Sequence, residues 1–209
     1  VGQIASALRE AGVEDNTLIF FTSDNGPWFE GSAGPYRGRK GQSYEGGFHV
    51  PMIAHWPAAL PAGSVCHTPW MNIDIYPTVL SLAGAPLPED RLIDGRNVFD
   101  LLTGRETRSP HEALVFYHFD QLEGIRVGRW KYFRRLNRYV WPIPLDAAVI
   151  PDKLGSSQLG NRWPLLYDLE LDPGESYNVI DTYPDVAAKM ENRIRQWERD
   201  VAKNPGGWL

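Results

Sequence analysis

The sequence has little cysteine, no excess of basic residues and no long apolar run, and each shortage excludes a class of protein. One cysteine among 209 residues, Cys66, allows neither an intrachain disulfide nor a zinc site with several cysteines. The 21 Lys and Arg against 26 Asp and Glu give a net charge of −5, so the basic footprint of a nucleic-acid-binding domain is missing. No stretch approaches the ~20 apolar residues that a membrane-spanning helix requires.

Glycine and proline, in contrast, are plentiful. The chain contains 20 Gly and 17 Pro beside 8 Trp and 9 Tyr. Such a composition predicts many turns and loops, and loops held on a rigid scaffold are where functional residues concentrate.

The first part of the chain has the pattern of an α/β protein. Residues 1–12 carry apolar side chains at helical spacing. Residues 17–23 (TLIFFTS) and 50–56 (VPMIAHW) form two apolar runs, and the first is typical of a strand buried on both faces in a parallel sheet. A parallel sheet covered by helices on both faces needs several βαβ units, and this sequence supplies only two candidate strands for it. We therefore expect this chain to be the C-terminal part of a longer polypeptide.

The pattern changes after a proline-rich connection at 86–95. Before it, residues 74–84 predict a helix that Asp74 would cap. After it, residues 113–119, 124–127, 130–134 and 165–169 predict antiparallel strands, with Gly128 first in a two-residue hairpin turn. Residues 184–203 predict an amphipathic terminal helix. The predicted domains are therefore 1–90, part of an α/β domain, and 91–209, a small antiparallel sheet packed on a C-terminal helix.

Two polar residues directly follow the first predicted strand. Asp24 and Asn25 stand in TSDNG, and ligands of open α/β sheets bind beyond the carboxyl ends of strands. A carboxylate and an amide carbonyl are hard oxygen ligands suited to Ca²⁺ or Mg²⁺. Calcium takes about 6–8 oxygens, so this pair would form part of a shell only. An ordinary Asp-Asn-Gly turn is the alternative interpretation.

A basic, glycine-bearing stretch follows at residues 37–41 (RGRKG). Its cations could receive an anionic group, although a solvated loop is the alternative. Lys40 precedes Tyr44, Glu45 and two glycines, and this set leads directly into the second apolar run.

In this order the motifs resemble the second half of a type I sulfatase of the alkaline phosphatase superfamily. The resemblance rests on TSDNG (22–26), on Lys40 with YEGG (44–47) and on VPMIAHWP (50–57). DIYPTVLSLAGAPLP (74–88) and LYDLELDPGESYN (166–178) extend it. Nearly the whole chain is covered, apart from residues 136–164.

The resemblance implies an enzyme that hydrolyses aryl or carbohydrate sulfate esters with a formylglycine nucleophile and one bound Ca²⁺. Asp24 and Asn25 would be calcium ligands. Lys40 would contact the sulfate and assist the leaving oxygen, where a fixed cation stabilises developing charge. The implied partners are a sulfated small molecule or glycan and the N-terminal half of the same protein. Members of this family are usually exported, so the resemblance also implies a location in the periplasm or outside the cell.

The chain also departs from the family pattern. No C/S-x-P-x-R nucleophile motif occurs: Cys66 stands in VCHTP, without the arginine that should follow. We therefore predict that these 209 residues alone are inactive. His49 stands two residues after YEGG, where relatives usually have arginine, so a substrate contact by His49 lacks the family's support.

Two other functions stay open at this point. The same superfamily includes hydrolases of phosphodiesters and phosphonate monoesters, whose pockets would differ on the nucleophile side. Alternatively, Tyr139, Trp141 and Trp163, in the stretch 136–164, could stack on sugars in a non-catalytic glycan-binding module.

Overall fold

A computed structural model describes residues 1–136 and 163–203, which form two compact units. The first unit consists of Val1–Asp24 and Pro51–Glu112, and the second of Asn25–Val50 and the described residues from Ala113 onward. The helices are α1 (Gly2–Glu10), α2 (Glu45–Phe48), α3 (Ile75–Leu82), α4 (Phe99–Leu102) and α5 (Pro184–Lys203). The strands are β1 (Ile19–Thr22), β2 (Met52–His55), β3 (Leu114–His118), β4 (Gln121–Val127), β5 (Trp130–Phe133) and β6 (Leu165–Asp168).

The two strands of the first unit pair antiparallel, with Phe20 opposite Ala54. The prediction of a parallel sheet with a doubly buried first strand is therefore wrong for the described residues. Phe21 is 46% exposed on β1 and Ile53 is 60% exposed on β2. The physical reason for the error is that an unbroken apolar run indicates where a strand can be buried but not the direction of its neighbour.

A buried carboxylate holds the helical part of the first unit together. Asp74, fully buried, accepts hydrogen bonds from the backbone N–H groups of Met71 and Arg96 at 2.7 Å each. The Nε2 atom of His111 lies 2.8 Å from the same carboxylate. Asp74 does occupy the N-cap position of α3, but its side chain makes no capping bond to that helix. The Asp74 side chain therefore does not cap α3 as predicted. Its carboxylate instead joins three separate stretches of chain.

In the second unit, β3, β4, β5 and β6 form the predicted antiparallel sheet, and their order in the sheet is the order in the sequence. Gly128 has a positive φ of 57° in the β4–β5 turn, the conformation for which glycine is suited. One face of the sheet packs on the predicted terminal helix α5. The shared core consists of Ile125, Tyr132, Leu166, Ala187, Met190 and Ile194.

The opposite face of this sheet receives residues from the segment 25–50, which we call the motif segment. Phe133, Leu165 and Tyr167 form a second buried cluster on this face, and Tyr44 packs against it. The ring of Tyr44 meets Phe133 edge-on, with centroids 5.5 Å apart. The sequence around YEGG is therefore built into the second unit, although β1 and β2, which flank it, belong to the first.

Two further observations concern boundaries and length. The predicted domain boundary at 86–95 lies inside the first unit, and the division into 1–90 and 91–209 stays a prediction about sequence domains. Across the part of the chain that the structure describes, no helix combines the length and the apolar character needed to cross a membrane.

Candidate functional site

Close backbone contacts fold the motif segment back on itself. The Gly26 N–H donates to the Gly47 carbonyl at 2.8 Å, and the Gly46 N–H donates to the Arg37 carbonyl at 2.7 Å. A Cβ at Gly46 would lie 2.5 Å from the Arg37 carbonyl oxygen, and one at Gly47 would overlap the carbonyl oxygen of Gln42. The two glycines of YEGG are thus required, because no side chain larger than a hydrogen atom fits between these backbone segments.

We expect Gly47→Ala to destabilise the second unit by about 3 kcal/mol, since an added methyl group must displace backbone. Gly34→Ala is the matched control in the same segment. Gly34, unlike Gly47, has a positive φ, 62°, and nothing lies within 4 Å of its Cβ position, so only backbone strain of about 1 kcal/mol is expected. Chemical unfolding of both variants measures the difference. Equal losses of unfolding free energy in the two variants would show that the close backbone approach at Gly47 does not contribute to stability.

The predicted metal ligands lie where β1 ends. Asp24 is exposed and is the last residue of the stretch Val1–Asp24 of the first unit. The Ser23 hydroxyl is 3.5 Å from its Oδ1. Asn25, half-buried, begins the motif segment of the second unit. Both supply oxygen donors and no nitrogen or sulfur ligand, which suits part of a calcium shell. No group of three or more His, Cys, Asp or Glu side chains arranged to hold a metal occurs within residues 1–136 and 163–203.

Lys40 lies on an exposed turn of the motif segment. Gly38 and Gly41, with φ of 85° and 83°, bracket the turn. The Lys40 N–H donates to the carbonyl of Pro27 at 3.0 Å, so its backbone is anchored while its side chain is exposed. This geometry presents an ammonium group on a fixed backbone.

The other two cations of RGRKG are engaged by the protein. The Arg37 guanidinium lies 4.2 Å from the ring centroid of Tyr44 and donates to the Glu175 carbonyl at 2.9 Å. The Arg39 guanidinium lies over the ring of Phe29, 4.7 Å from its centroid. Lys40 makes no ion pair with any residue in the described ranges. The stretch therefore contains two structural cations and one that faces solvent.

Behind the motif segment lies a buried ionic group that we call the Lys131 cluster: Lys131, Glu45, Arg126 and Glu175. Lys131 Nζ, fully buried, is 2.9 Å from Oε1 of Glu45 and 3.2 Å from Oε1 of Glu175. Arg126 Nη1 donates to Oε2 of Glu45 at 2.7 Å. Two acidic side chains therefore face two cations on the sheet face that carries the motif segment.

The surroundings shift the two carboxylates in opposite directions. Burial raises the pKa of Glu175 to about 7, although the charge of Lys131 opposes the rise. Burial would also raise the pKa of Glu45, but the charges of Lys131 and Arg126 outweigh it and leave that pKa below its usual value. Glu45 is therefore ionised at neutral pH, and Glu175 is the carboxylate of the cluster that titrates near it.

The raised pKa of Glu175 predicts a pH dependence of stability. Between an unfolded value of about 4.3 and the folded value of about 7, the folded protein holds a proton that the unfolded chain has released. The free energy of unfolding should therefore fall as the pH rises through this window. Lys131, the Glu45 amide and Glu45 itself face the Glu175 carboxylate, and Arg37, Tyr44 and Tyr167 also interact with Glu175. Glu45, with its lowered pKa, acts only at more acid pH.

Urea unfolding at pH 5, 6, 7 and 8 tests this dependence, with Glu175→Gln as the comparison. Glutamine does not titrate, so the variant should lose the fall in stability between pH 5 and 7. Parallel pH profiles for the two proteins would contradict the assignment.

His49 contacts an aromatic ring and a carboxylate of the protein. Its ring stacks on Tyr36 with centroids 4.2 Å apart, and its Nδ1 lies 3.8 Å from Oε2 of Glu45. Burial lowers the pKa of His49 below its usual value, and the Glu45 carboxylate only partly opposes this. The imidazole is accordingly neutral at pH 7, and a substrate contact by His49 stays a prediction.

Three residues of the Lys131 cluster were missed as candidates from the sequence. The backbone of Glu175 belongs to the turn of the DPGE stretch, where its N–H donates to the Asp172 carbonyl at 3.1 Å, but its side chain does not stay at the turn surface. The Asp172 carboxylate accepts the N–H groups of Ser176 and Tyr177, whereas Glu175 is fully buried. A lysine inside the apolar strand WKYF was the available signal, because a buried lysine requires a carboxylate partner.

Cys66 and His55 belong neither to the motif segment nor to the Lys131 cluster. Cys66 is an exposed free thiol. His55 lies 3.8 Å from Glu14 and, like Cys66, carries no sign of a site. Of the three residues on which the glycan-binding alternative rests, Tyr139 and Trp141 are outside the described residues. Trp163 is half-buried and packs against the cluster of Phe133, Leu165 and Tyr167.

Two family descriptions match the chain, one on each side of the predicted boundary. "Sulfatase" matches residues 1–85, and "C-terminal region of aryl-sulfatase" matches residues 109–206. Human steryl-sulfatase is 40% identical over 193 residues, which cover 84% of this chain and 33% of that protein. The chain thus spans about a third of the length of this curated relative.

Solved structures agree in fold. The PsFucS1 sulfatase of Pseudoalteromonas sp. superposes with a TM-score of 0.79 at 27% identity, covering 98% of this chain and 41% of that one. A phosphonate monoester hydrolase of Agrobacterium radiobacter superposes with a TM-score of 0.57 at 25% identity, covering 95% and 38%. The chain thus covers about two fifths of each structure, and it superposes better on the sulfatase.

Proposed function

Because this chain belongs to the sulfatase family and corresponds to its C-terminal portion, we propose that the complete protein hydrolyses aryl or carbohydrate sulfate esters. The observation that carries the proposal is Lys40. It is the cation of the basic stretch that faces solvent, on a turn whose backbone is fixed by glycines and by Pro27. An ammonium group carried on an anchored turn suits the stabilisation of negative charge on a sulfate group or a departing oxygen.

The residues of this chain would have separate roles in that reaction. Lys40 would bind a sulfate oxygen and stabilise the leaving oxygen as its bond to sulfur breaks. Asp24 and Asn25 would hold a calcium ion, which as a Lewis acid polarises the oxygens of the ester. The rest of the calcium shell and the formylglycine nucleophile would be contributed by the N-terminal half of the protein. We further propose that the 209-residue chain alone is inactive and that the complete protein is exported.

A phosphonate or phosphate diester substrate is the second candidate, and the superposition on the Agrobacterium hydrolase favours keeping it. Both substrates offer anionic oxygens to Lys40, so this chain's own residues do not separate them. Sulfate is preferred because both family descriptions that match the chain are those of sulfatases.

Hydrolysis of paired aryl substrates tests the proposal directly. The complete protein should release phenol from an aryl sulfate faster than from the matched aryl phosphonate monoester, and chelation of calcium should stop the release. The 209-residue chain, assayed alone, should show no turnover. Faster phosphonate hydrolysis would establish the second candidate, and glycan binding without any hydrolysis would establish a binding module.

A further inference from the structure

The sheet of the second unit places two cations side by side. Arg126 on β4 and Lys131 on β5 are directly opposite each other in the strand register. Like charges in this relation repel each other. The carboxylate of Glu45 bridges them, with one oxygen on each cation. The arrangement therefore has a defined place for Glu45, at the N-terminus of α2 in the middle of YEGG.

Glu175 fixes the same residue from another direction. Its Oε2 accepts the backbone N–H of Glu45 at 2.6 Å, and its carbonyl accepts from the guanidinium of Arg37. Glu175 has a φ of 49°, in the left-handed region that a residue other than glycine adopts at a cost. This conformation lets the side chain and the carbonyl of one residue hold both ends of the stretch 37–45.

The stretch between these two attachment points contains Lys40. Arg37 is held at one end by Glu175, and Glu45 is held at the other by Glu175, Lys131 and Arg126. The Gly46 N–H closes the loop on the Arg37 carbonyl. A displacement of either end would therefore move the turn on which Lys40 stands.

We propose that Glu175 and Lys131 are positioning residues that hold the Lys40 turn in place for catalysis. Both residues are far from Lys40 in the sequence. This inference rests on the proposed function, since it assigns the ammonium of Lys40 to the reaction. Glu175 and Lys131 do not touch the substrate in this scheme. They act through the backbone of the motif segment, where a displacement of about 1 Å can lower a rate by about 100-fold.

A double-mutant cycle in the complete enzyme tests the proposal. Glu175→Ala should lower kcat on an aryl sulfate by about tenfold or more, with a smaller change in KM, and Glu175→Gln, which keeps an acceptor oxygen for the Glu45 amide, should lower it less. In the Lys40→Ala background, Glu175→Ala should change kcat less than twofold, because the group that it positions is gone. A residue that only stabilises the fold would lower kcat by the same factor in both backgrounds, and this result would overturn the proposal.

Asp168→Asn is the matched control. Asp168 is also buried and ion-paired, to Arg129, but its hydrogen bonds run to Arg129, Glu170, Leu171 and Asp172 rather than to the motif segment. It should leave kcat within about twofold of the parent enzyme. A loss as large as that of Glu175→Ala would show that damage to any buried ion pair of this sheet lowers activity, and would overturn the proposal.

Amide hydrogen exchange separates this inference from the proposed function. In Glu175→Ala and Lys131→Met, exchange at residues 42–47 should accelerate at least tenfold, while Asp168→Asn leaves it unchanged. This measurement requires no turnover, so it still tests the positioning if Lys40→Ala proves to be fully active. Unchanged exchange in both variants would show that the cluster does not hold the segment, whatever Lys40 does.

Discussion

Replacing Lys40 by alanine in the complete enzyme is expected to lower kcat by about 10²–10³-fold, with a smaller effect on KM. The reason is that charge on the departing oxygen builds up mainly in the transition state. A cation that meets this charge therefore contributes more to the rate than to ground-state binding. Steady-state kinetics on aryl sulfates with leaving groups of different acidity measure the effect. The loss should be largest for the poorest leaving group, which needs the most assistance.

Arg39→Ala is the matched control for this prediction. It removes a neighbouring cation and changes the net charge equally, but the Arg39 guanidinium is committed to the ring and carbonyl of Phe29. We expect a change in kcat of less than about threefold, because long-range effects of one exposed charge are screened by salt. If both substitutions cost the same, general electrostatic attraction rather than a placed ammonium would account for the basic stretch.

Asp24→Ala is expected to have the second large effect, on calcium affinity and on activity together. The substitution removes one carboxylate from the ligand set, and calcium affinity depends strongly on the charge and number of its ligands. At a calcium concentration 100 times the dissociation constant, binding stabilises a protein by about 2.7 kcal/mol. Thermal unfolding of the complete enzyme with and without calcium should show this stabilisation in the parent and little of it in the variant.

Glu30→Gln is the comparison for Asp24. Glu30 is an exposed carboxylate six residues further along the chain, so it reports the effect of losing any exposed negative charge near this position. It should keep the calcium-dependent stabilisation. Retention of the full calcium effect in Asp24→Ala would remove Asp24 from the ligand set, whatever happens to the activity.

The parts of this structure that follow from local sequence patterns could be predicted. The apolar face of residues 184–203 has a helical period, and it packs on the sheet through Met190 and Ile194. The four antiparallel strands and the Gly128 turn also follow from short patterns of residues. Asp24, Asn25 and Lys40 were selected by motifs, and their roles stay predictions.

The parts that depend on distant contacts could not be predicted. Nothing in VPMIAHW indicates an antiparallel neighbour, because pairing direction is decided by the whole sheet. Glu45 and Glu175 are 130 residues apart, and no local pattern reveals that a side chain from DPGE reaches the amide of YEGG. Asp74 was recognised as polar at a helix start, but its bonds to Arg96 and His111 depend on tertiary packing.

The membership of the motif segment in the second unit has a consequence for protein engineering. Glu45, in the stretch matched by the first family description, forms its ion pairs with Arg126 and Lys131 in the stretch matched by the second, at 109–206. A chimera of two relatives joined between these regions would therefore pair one parent's YEGG loop with the other parent's sheet. Such hybrids should fold chiefly when both parents carry the same acidic and basic residues at positions 45, 126, 131 and 175. These four positions therefore indicate which pairs of relatives can be recombined.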